Sequence, residues 1–405
     1  MQAPSLLEQK SVIYPQVSED GDLKIFAARQ LSLIDNDINR ERILWIDEAS
    51  HQLVGGFAPS TALEQVSIKG TISPNSPLDA LTESLFPFAL VSGSSGEKVF
   101  ADEKGLASHL AALGRNLSVK LDNEKVVVVN DDSANSTVNI DTDALTGESL
   151  SIDTGLTADE RNIYYWIMNA KTFLKDRFGF DRQSSKLVAI ARFGDDLDNA
   201  FFMPITYSLS FGTGKQFLRN TALSRDIITH EFGHSVVYEK YGNVPGYEFS
   251  AMNEAMADFL AAIVTEDPLI ADGAMQEKTG MKYLRTVENN FHYPEDFTGK
   301  GFHNDGQIFS GALWDLRKEL GSELADKMIH EAQLAQAKSV HEFYKELLKI
   351  DEATGDKDPW TPSPHFNQIR KVFNKHGIGS RLVTFKQAPA EDKTIPWKMG
   401  CWSIQ

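Results

Sequence analysis

The chain has 405 residues, enough for two or three domains and an ample core. Its 41% hydrophobic and 24% charged residues are ordinary for a globular protein, while a net charge of −17 argues against a nucleic-acid partner, whose phosphates it would repel. A single cysteine, Cys401, rules out an intramolecular disulfide, a multi-cysteine zinc site and an iron–sulfur centre, and no apolar run approaches the roughly 18 residues of a membrane span.

The opening residues Met1-Gln2-Ala3-Pro4-Ser5 lack the basic and apolar regions of a signal peptide. Two readings fit: a cytoplasmic protein, or an exported one whose signal has been replaced by Met1. Residues 23–28, 42–46, 53–57 and 65–69 are short alternating or apolar stretches between turn residues, which predicts a β-rich unit over 1–85. Asp20-Gly21-Asp22 reads as a plain turn, and Ser73-Pro74-Asn75-Ser76-Pro77 as a turn or linker. Beyond it, 106–113 is expected to be a short helix, and the Val-rich 117–121, 125–130 and 136–140 are expected strands, followed by 149–153 after a Thr146-Gly147 turn.

Thr157-Ala158-Asp159-Glu160 has the form of a capping box, in which a Thr hydroxyl and a Glu carboxylate satisfy each other's backbone amides. It opens a long helix through Phe178, ended by Gly179. Strands are expected over 187–193 and 199–211, then a helix over 226–241. Past Tyr241 helices follow over 250–265, 274–287, 306–320, 322–336, 339–350 and 366–376. The fold class is therefore α+β: a β-rich N-terminal part and a helical C-terminal part. The tail from Arg381 shows little periodicity; Trp397 and Trp402 would dock it if it is extended.

The chemistry concentrates in His230-Glu231-Phe232-Gly233-His234. Residues four apart share a helix face, so both imidazoles point the same way, as a single zinc ion requires, with Glu231 beside them able to hold a water. Nineteen residues separate His234 from Glu254, which lies in Met252-Asn253-Glu254-Ala255-Met256-Ala257-Asp258. Glu254 would complete a two-His, one-Glu site with an open fourth position, and Asp258, on the same helix face, would accept the far N–H of a liganding histidine. Solvated helix faces are the plain alternative for both pairs. The apolar neighbours Ala255, Met256 and Phe259 count against it, because carboxylates beside a buried face need partners.

With these two motifs at this spacing the chain resembles the thermolysin-like zinc metalloproteases, or gluzincins, over roughly 157–377. The resemblance implies a two-lobed catalytic unit, residues 86–245 carrying the zinc helix and 246–378 the helical lobe, preceded by an additional β-rich unit over 1–85 and followed by an extension over 379–405. It implies zinc on His230, His234 and Glu254, Glu231 as general base, and Asp258 behind the ligands. Asn199-Ala200-Phe201-Phe202 matches the family's substrate-binding edge strand, which gives Asn199, Ala200 and Phe202 substrate contacts. Leu284-Arg285 matches the pair whose Arg holds a substrate carbonyl. His303, ahead of a helix, matches the histidine that donates to the oxyanion, with Tyr247 as a second donor two residues out of place. Taken singly, Arg285 could equally be a surface cation, His303 a turn residue and Tyr247 a loop anchor.

The resemblance further implies a first leaving-group pocket lined by Ile227 and Leu284, with Phe217 as a further candidate, and endopeptidase cleavage before bulky apolar residues. The partner is then a peptide or protein substrate, and the resemblance favours export; no oligomeric state follows. Three departures stand out. Asp226 falls where the family ligates Ca2+, but Thr265 replaces the acidic residue that would complete the site, so calcium is doubtful. No aspartate sits at the spacing that would orient His303; Asp296 and Asp305 are the substitutes. Residues 1–85 and those from 380 have no counterpart, which leaves a competing reading: a latent or non-catalytic binding module of protease fold, regulated by its N-terminal unit.

Overall fold

The computed structural model describes residues 5–17, 23–35, 40–57, 65–93, 96–108, 110–113, 116–132, 136–141, 149–355, 363–379 and 385–386. The turns expected at Asp20 and at Thr146-Gly147, and the tail with Trp397, Cys401 and Trp402, lie outside them.

The first strands, β1 (Ser5–Val17), β2 (Leu23–Asp35), β3 (Arg40–Asp47) and β4 (Leu53–Phe57), form one antiparallel sheet in chain order. Tyr14 stacks on Trp45 at 4.8 Å, and a Cβ at Gly55 would meet the Tyr14 ring, so strands from the two edges of the sheet approach over one face. Buried Ala28 and Ser32 lie on β2 between them.

β5 (Gln65–Ile72) belongs elsewhere. It is the centre of a second sheet with β6 (Thr82–Leu85), β9 (Leu106–Ser108) and β13 (Ser149–Ser151). A third sheet runs β12 (Val138–Asp141), β10 (Asn116–Lys120), β7 (Leu90–Gly93), β8 (Lys98–Phe100). The fourth runs β11 (Val126–Asn130), β14 (Leu187–Ala191), β16 (Ser208–Phe211), β15 (Ala200–Met203), leaving β15 on its edge. Over these packs α1 (Ala158–Phe178), opened by the predicted capping box, with Thr157 N donating to Glu160 at 2.8 Å, and closed by Gly179 at φ 66°. Arg161 of α1 donates to the Thr71 carbonyl at 2.8 Å, and Ser73 N to Asn162 at 2.8 Å. The Ser73 turn is thereby held against α1, and its Asn75 carbonyl accepts Arg225 N, at the start of the next helix, at 3.0 Å.

The helical part comprises α2 (Arg225–Tyr241), α3 (Tyr247–Thr265), α4 (Phe302–Leu320), α5 (Ser322–Leu334), α6 (Val340–Thr354) and α7 (Phe366–Lys375). One continuous apolar cluster runs from Val66 through both parts to Phe385. This is the α+β architecture that the sequence predicts.

Three expectations fail locally. The helix over 106–113 is instead β9 followed by a single 3-10 turn at Leu110–Leu113, because pairing with β5 outweighs local propensity. The helix over 274–287 is absent: Gly273 and Gly280 take left-handed φ of 64° and 69°, one 3-10 turn spans Glu277–Thr279, and β18 (Arg285–Thr286) pairs with β17 (Leu269–Ile270). The single strand over 199–211 is a hairpin, turned through Pro204 and Tyr207, the latter at φ 50°.

α2 lies between α1, β15 and α3. Its approach to α3 is set by Gly233, where an added Cβ would fall 2.9 Å from Ala257 Cα. Backbone cannot yield there as a flexible side chain would. Gly233→Ala should therefore destabilise the chain by about 1–3 kcal/mol, read as a lowered denaturation midpoint; an unchanged midpoint would show that the two helices separate freely.

Candidate metal centre

α2 places His230 and His234 one turn apart, ring centroids 4.6 Å from each other, and α3 brings Glu254 up to them. His230 Nε2 lies 3.4 Å from Glu254 Oε2, and His234 Nε2 lies 3.6 Å from Glu254 Oε1. Two ligands about 2.1 Å from a tetrahedral ion stand roughly 3.4 Å apart. The donor set, two imidazoles and a carboxylate, is that of a catalytic zinc site with an open position, so these residues fit a zinc ion. Among the described residues it is the one cluster able to hold a metal.

Each histidine is braced from behind. His230 Nδ1 contacts Asp258 Oδ1 at 2.7 Å, and His234 Nδ1 pairs with Asn253 Oδ1 at 3.1 Å, so both rings turn Nε2 towards Glu254. Asp258 is itself held in a fork by Arg285, Nε to Oδ2 at 2.6 Å and Nη2 to Oδ1 at 2.8 Å. Arg285 also comes within 3.7 Å of Glu254. Glu231 is fully buried in α2 between the two histidines.

The charged groups of this centre shift one another. Burial alone would depress His230, but Asp258 and Glu254 beside it raise it to about 9. Burial, with His230 nearby, drives His234 down to about 4. Burial likewise pushes Glu254 up, yet His303, His234 and His230 carry it well below the ordinary carboxylate range. Asp258 is lowered against burial by Arg285 and His230. A pocket that keeps two carboxylates ionised while fully enclosed needs positive charge inside it.

The other sequence-derived residues distribute around this centre. His303 sits in the first turn of α4, not ahead of it, with Nε2 3.5 Å from Glu254 Oε1. Neither proposed substitute orients it: Asp296 accepts from His292 N at 2.7 Å, and Asp305 from Thr298 and Gly299. Tyr247 opens α3, and its hydroxyl donates to Asp305 at 2.5 Å, so it fastens the 298–301 turn. Asn199 and Ala200 are buried at the head of β15, while Phe202 meets Tyr207 and Tyr238 edge-on and tilted. Ile227 is buried in the first turn of α2, and half-buried Leu284 precedes Arg285. Asp226 accepts from Ile227 N at 2.9 Å and Asp272 N at 3.0 Å, tying α2 to the loop after β17. Thr265, where the family carries an acid, returns its hydroxyl to Ala261. Sequence reasoning assigned Asn253 no role. Its only signal was its place beside Glu254, and side-chain direction between two helices is not readable from spacing.

A model of the family described as thermolysin metallopeptidase, catalytic domain, matches residues 113–238, ending just past the second histidine. Among solved structures the chain is similar to the precursor of protealysin, a metalloproteinase from Serratia proteamaculans, at 15% identity and a TM-score of 0.52, over 64% of this chain and 88% of that one. At that identity the likeness is one of fold. No curated protein matches.

Two outcomes are expected. Asp258→Asn should weaken metal affinity roughly 10–100-fold in chelator competition, since it removes the charge behind His230; unaltered affinity would leave Asp258 with a role in the fold alone. Burial also raises Asp226 to about 6 despite its hydrogen bonds, so the folded chain holds that proton more tightly than the unfolded one. Its stabilising contribution is then present below about pH 4 and lost as pH rises through about 6. Asp226→Asn cannot titrate, so its Tm should climb relative to the parent between those limits. Parallel curves would refute this.

Proposed function

We propose that the chain is a thermolysin-like metalloprotease, a zinc-dependent endopeptidase cleaving before bulky apolar residues; the family match over 113–238, the fold and the His230–His234–Glu254 cluster support the reading. The observation that carries the reading is the convergence of three donors with both imidazoles braced from behind. His230, His234 and Glu254 would hold a zinc ion, which would supply Lewis acidity towards a water and the scissile carbonyl. Glu231 accepts the water's proton as its oxygen attacks the carbonyl carbon. It then returns that proton to the amide nitrogen as the C–N bond breaks, leaving a carboxylate and an amine. His303 donates to the developing oxyanion. Arg285, anchored on Asp258, offers its remaining guanidinium N–H groups to a substrate carbonyl. An extended peptide adds to the open edge of β15, in register with Asn199, Ala200 and Phe202. Ile227 and Leu284 form the apolar pocket for the first residue of the leaving group.

Glu231→Gln should keep the metal and lose about 10²–10⁴-fold in turnover. The assay is cleavage of casein with and without a zinc chelator. Turnover retained in that variant, or cleavage indifferent to the chelator, would defeat the mechanism.

A regulatory part for the N-terminal sheet is the second reading, and one observation favours it. Among the described residues β1 to β4 pair only with one another, whereas β5 is central to the sheet that α1 covers. The removable unit then ends between Phe57 and Gln65, not near residue 85, since a cut at 85 would take β5 away. Incubation of the purified chain should yield an active product whose N-terminus falls between 58 and 65 by mass spectrometry. A stable active product beginning near 86 would contradict it. Export, the usual setting of thermolysin-like enzymes, is the proposed location, and recovery of the chain in the cytoplasmic fraction alone would refute it.

A further inference from the structure

The chain that leaves α7 returns towards the metal centre through one aromatic ring. Gly377, at φ 70°, runs so close to the preceding segment that a Cβ there would collide with Tyr293 O, and Tyr293 N donates to His376 O at 3.1 Å. Beyond it Phe385 is buried, its ring stacked on Tyr293 at 5.6 Å and tilted against Phe297 at 4.9 Å. Its backbone is tied as well. Glu248, next to Tyr247 at the start of α3, accepts from the Phe385 backbone and from Val340 N at 3.0 Å.

Two routes lead from this ring to His303. The first is aromatic: Phe297 meets Tyr247 edge-on at 6.3 Å, Tyr247 meets Phe302 at 6.4 Å, and Phe302 lies 4.4 Å from the His303 ring. The second is polar. Phe297 is followed by Thr298, whose N and hydroxyl donate to Asp305 at 2.8 and 2.9 Å. Gly299 N and the Tyr247 hydroxyl donate to the same buried carboxylate at 2.8 and 2.5 Å. Asp305 N donates in turn to Gly301 O at 3.0 Å, so the turn and the start of α4 form one unit.

His303 sits at the end of both routes. Its Nε2 stands 3.5 Å from Glu254 Oε1 and makes no hydrogen bond among the described residues. Asp296 and Asp305, the nearby aspartates, are engaged with backbone amides. α4 carries the backbone of His303, and the direction of its ring is left to the side chains it packs on. A donor to developing charge must be held within about 0.5 Å of its productive place. Close packing transmits strain, so a void at Phe385 would reach the ring through its neighbours.

We propose that Phe385 is a positioning residue for His303: by packing on Tyr293 and Phe297 it fixes the Tyr247–Phe302 wall on which the imidazole lies, so that the chain beyond α7 completes the catalytic site. The proposal rests on the endopeptidase reading, with His303 as the oxyanion donor. It is tested on the full chain, as kcat per zinc-loaded molecule on one peptide. Phe385→Ala should lower kcat about 10–100-fold, the scale of misplacing a catalytic group, with KM and zinc content close to the parent. In a His303→Ala background the same substitution should change kcat by no more than about twofold, because the group it positions is gone. A merely structural role would lower kcat by the same factor in both backgrounds. That result, or an unchanged kcat in the single variant, overturns the proposal. Should Phe385→Ala not fold, Phe385→Leu, which keeps an apolar side chain there, decides by the same comparison of backgrounds. A His303→Ala variant as active as the parent removes the donor, and the proposal with it. A zinc-loaded parent that cleaves neither the peptide nor casein overturns the endopeptidase reading itself.

Discussion

The contact of α2 with α3 at Gly233 is the constraint on which the centre depends. Any side chain there would meet Ala257 backbone, so the hydrogen of glycine sets how close the two helices lie. His230 and His234 ride on one helix and Glu254 on the other, and donor separations of 3.4 and 3.6 Å survive only at that spacing. A matching approach occurs at Gly306 of α4, where a Cβ would fall 2.6 Å from Ala251 O. That second contact seats His303 against Glu254. Packing thus acts on chemistry directly: shape sets the distance, and distance sets whether three donors can share one ion.

Charge explains why such a centre can be buried at all. Glu254 and Asp258 sit inside the protein at 4% and 2% exposure, where an isolated carboxylate would lose several kcal/mol of hydration. Arg285 compensates with a two-bond fork to Asp258 and a longer contact to Glu254. On the proposed function, the guanidinium that would meet a substrate carbonyl also holds the carboxylate beside His230, which would couple substrate binding to metal support.

Short polar links beside this centre tie the start of α2 and the turn before it to the segment that follows α3. Asp226 accepts Asp272 N, Arg225 reaches Asp267 at 3.4 Å, and the segment around Phe217 pairs with residues 274–276. The family's calcium aspartate is here a hydrogen-bond acceptor for backbone, and the loop it holds leads through β17 and β18 to Arg285. That loop is also where sequence reasoning failed, since the apolar period over 274–287 suggests a helix. Glycines at 273 and 280 and the cross-link to Leu218 decide otherwise. The same holds for 106–113, whose register with β5 could not be read locally.

By itself the sequence determined the α+β class, the capped helix α1, the two metal-binding motifs and their order, because these follow from periodicity, capping chemistry and side-chain type. It also singled out Arg285 and His303 through a family resemblance, and the fold brings them within 3.7 and 3.5 Å of Glu254. Only the tertiary structure decided that Asn253 backs His234, that Tyr247 is fastened to Asp305, that Phe385 packs on Tyr293 and Phe297, and that β5 belongs with the catalytic sheets. Each of these depends on residues far apart in the chain, or on which way a side chain leaves its helix. Such pairings are set by global packing, for which a linear pattern carries no distance.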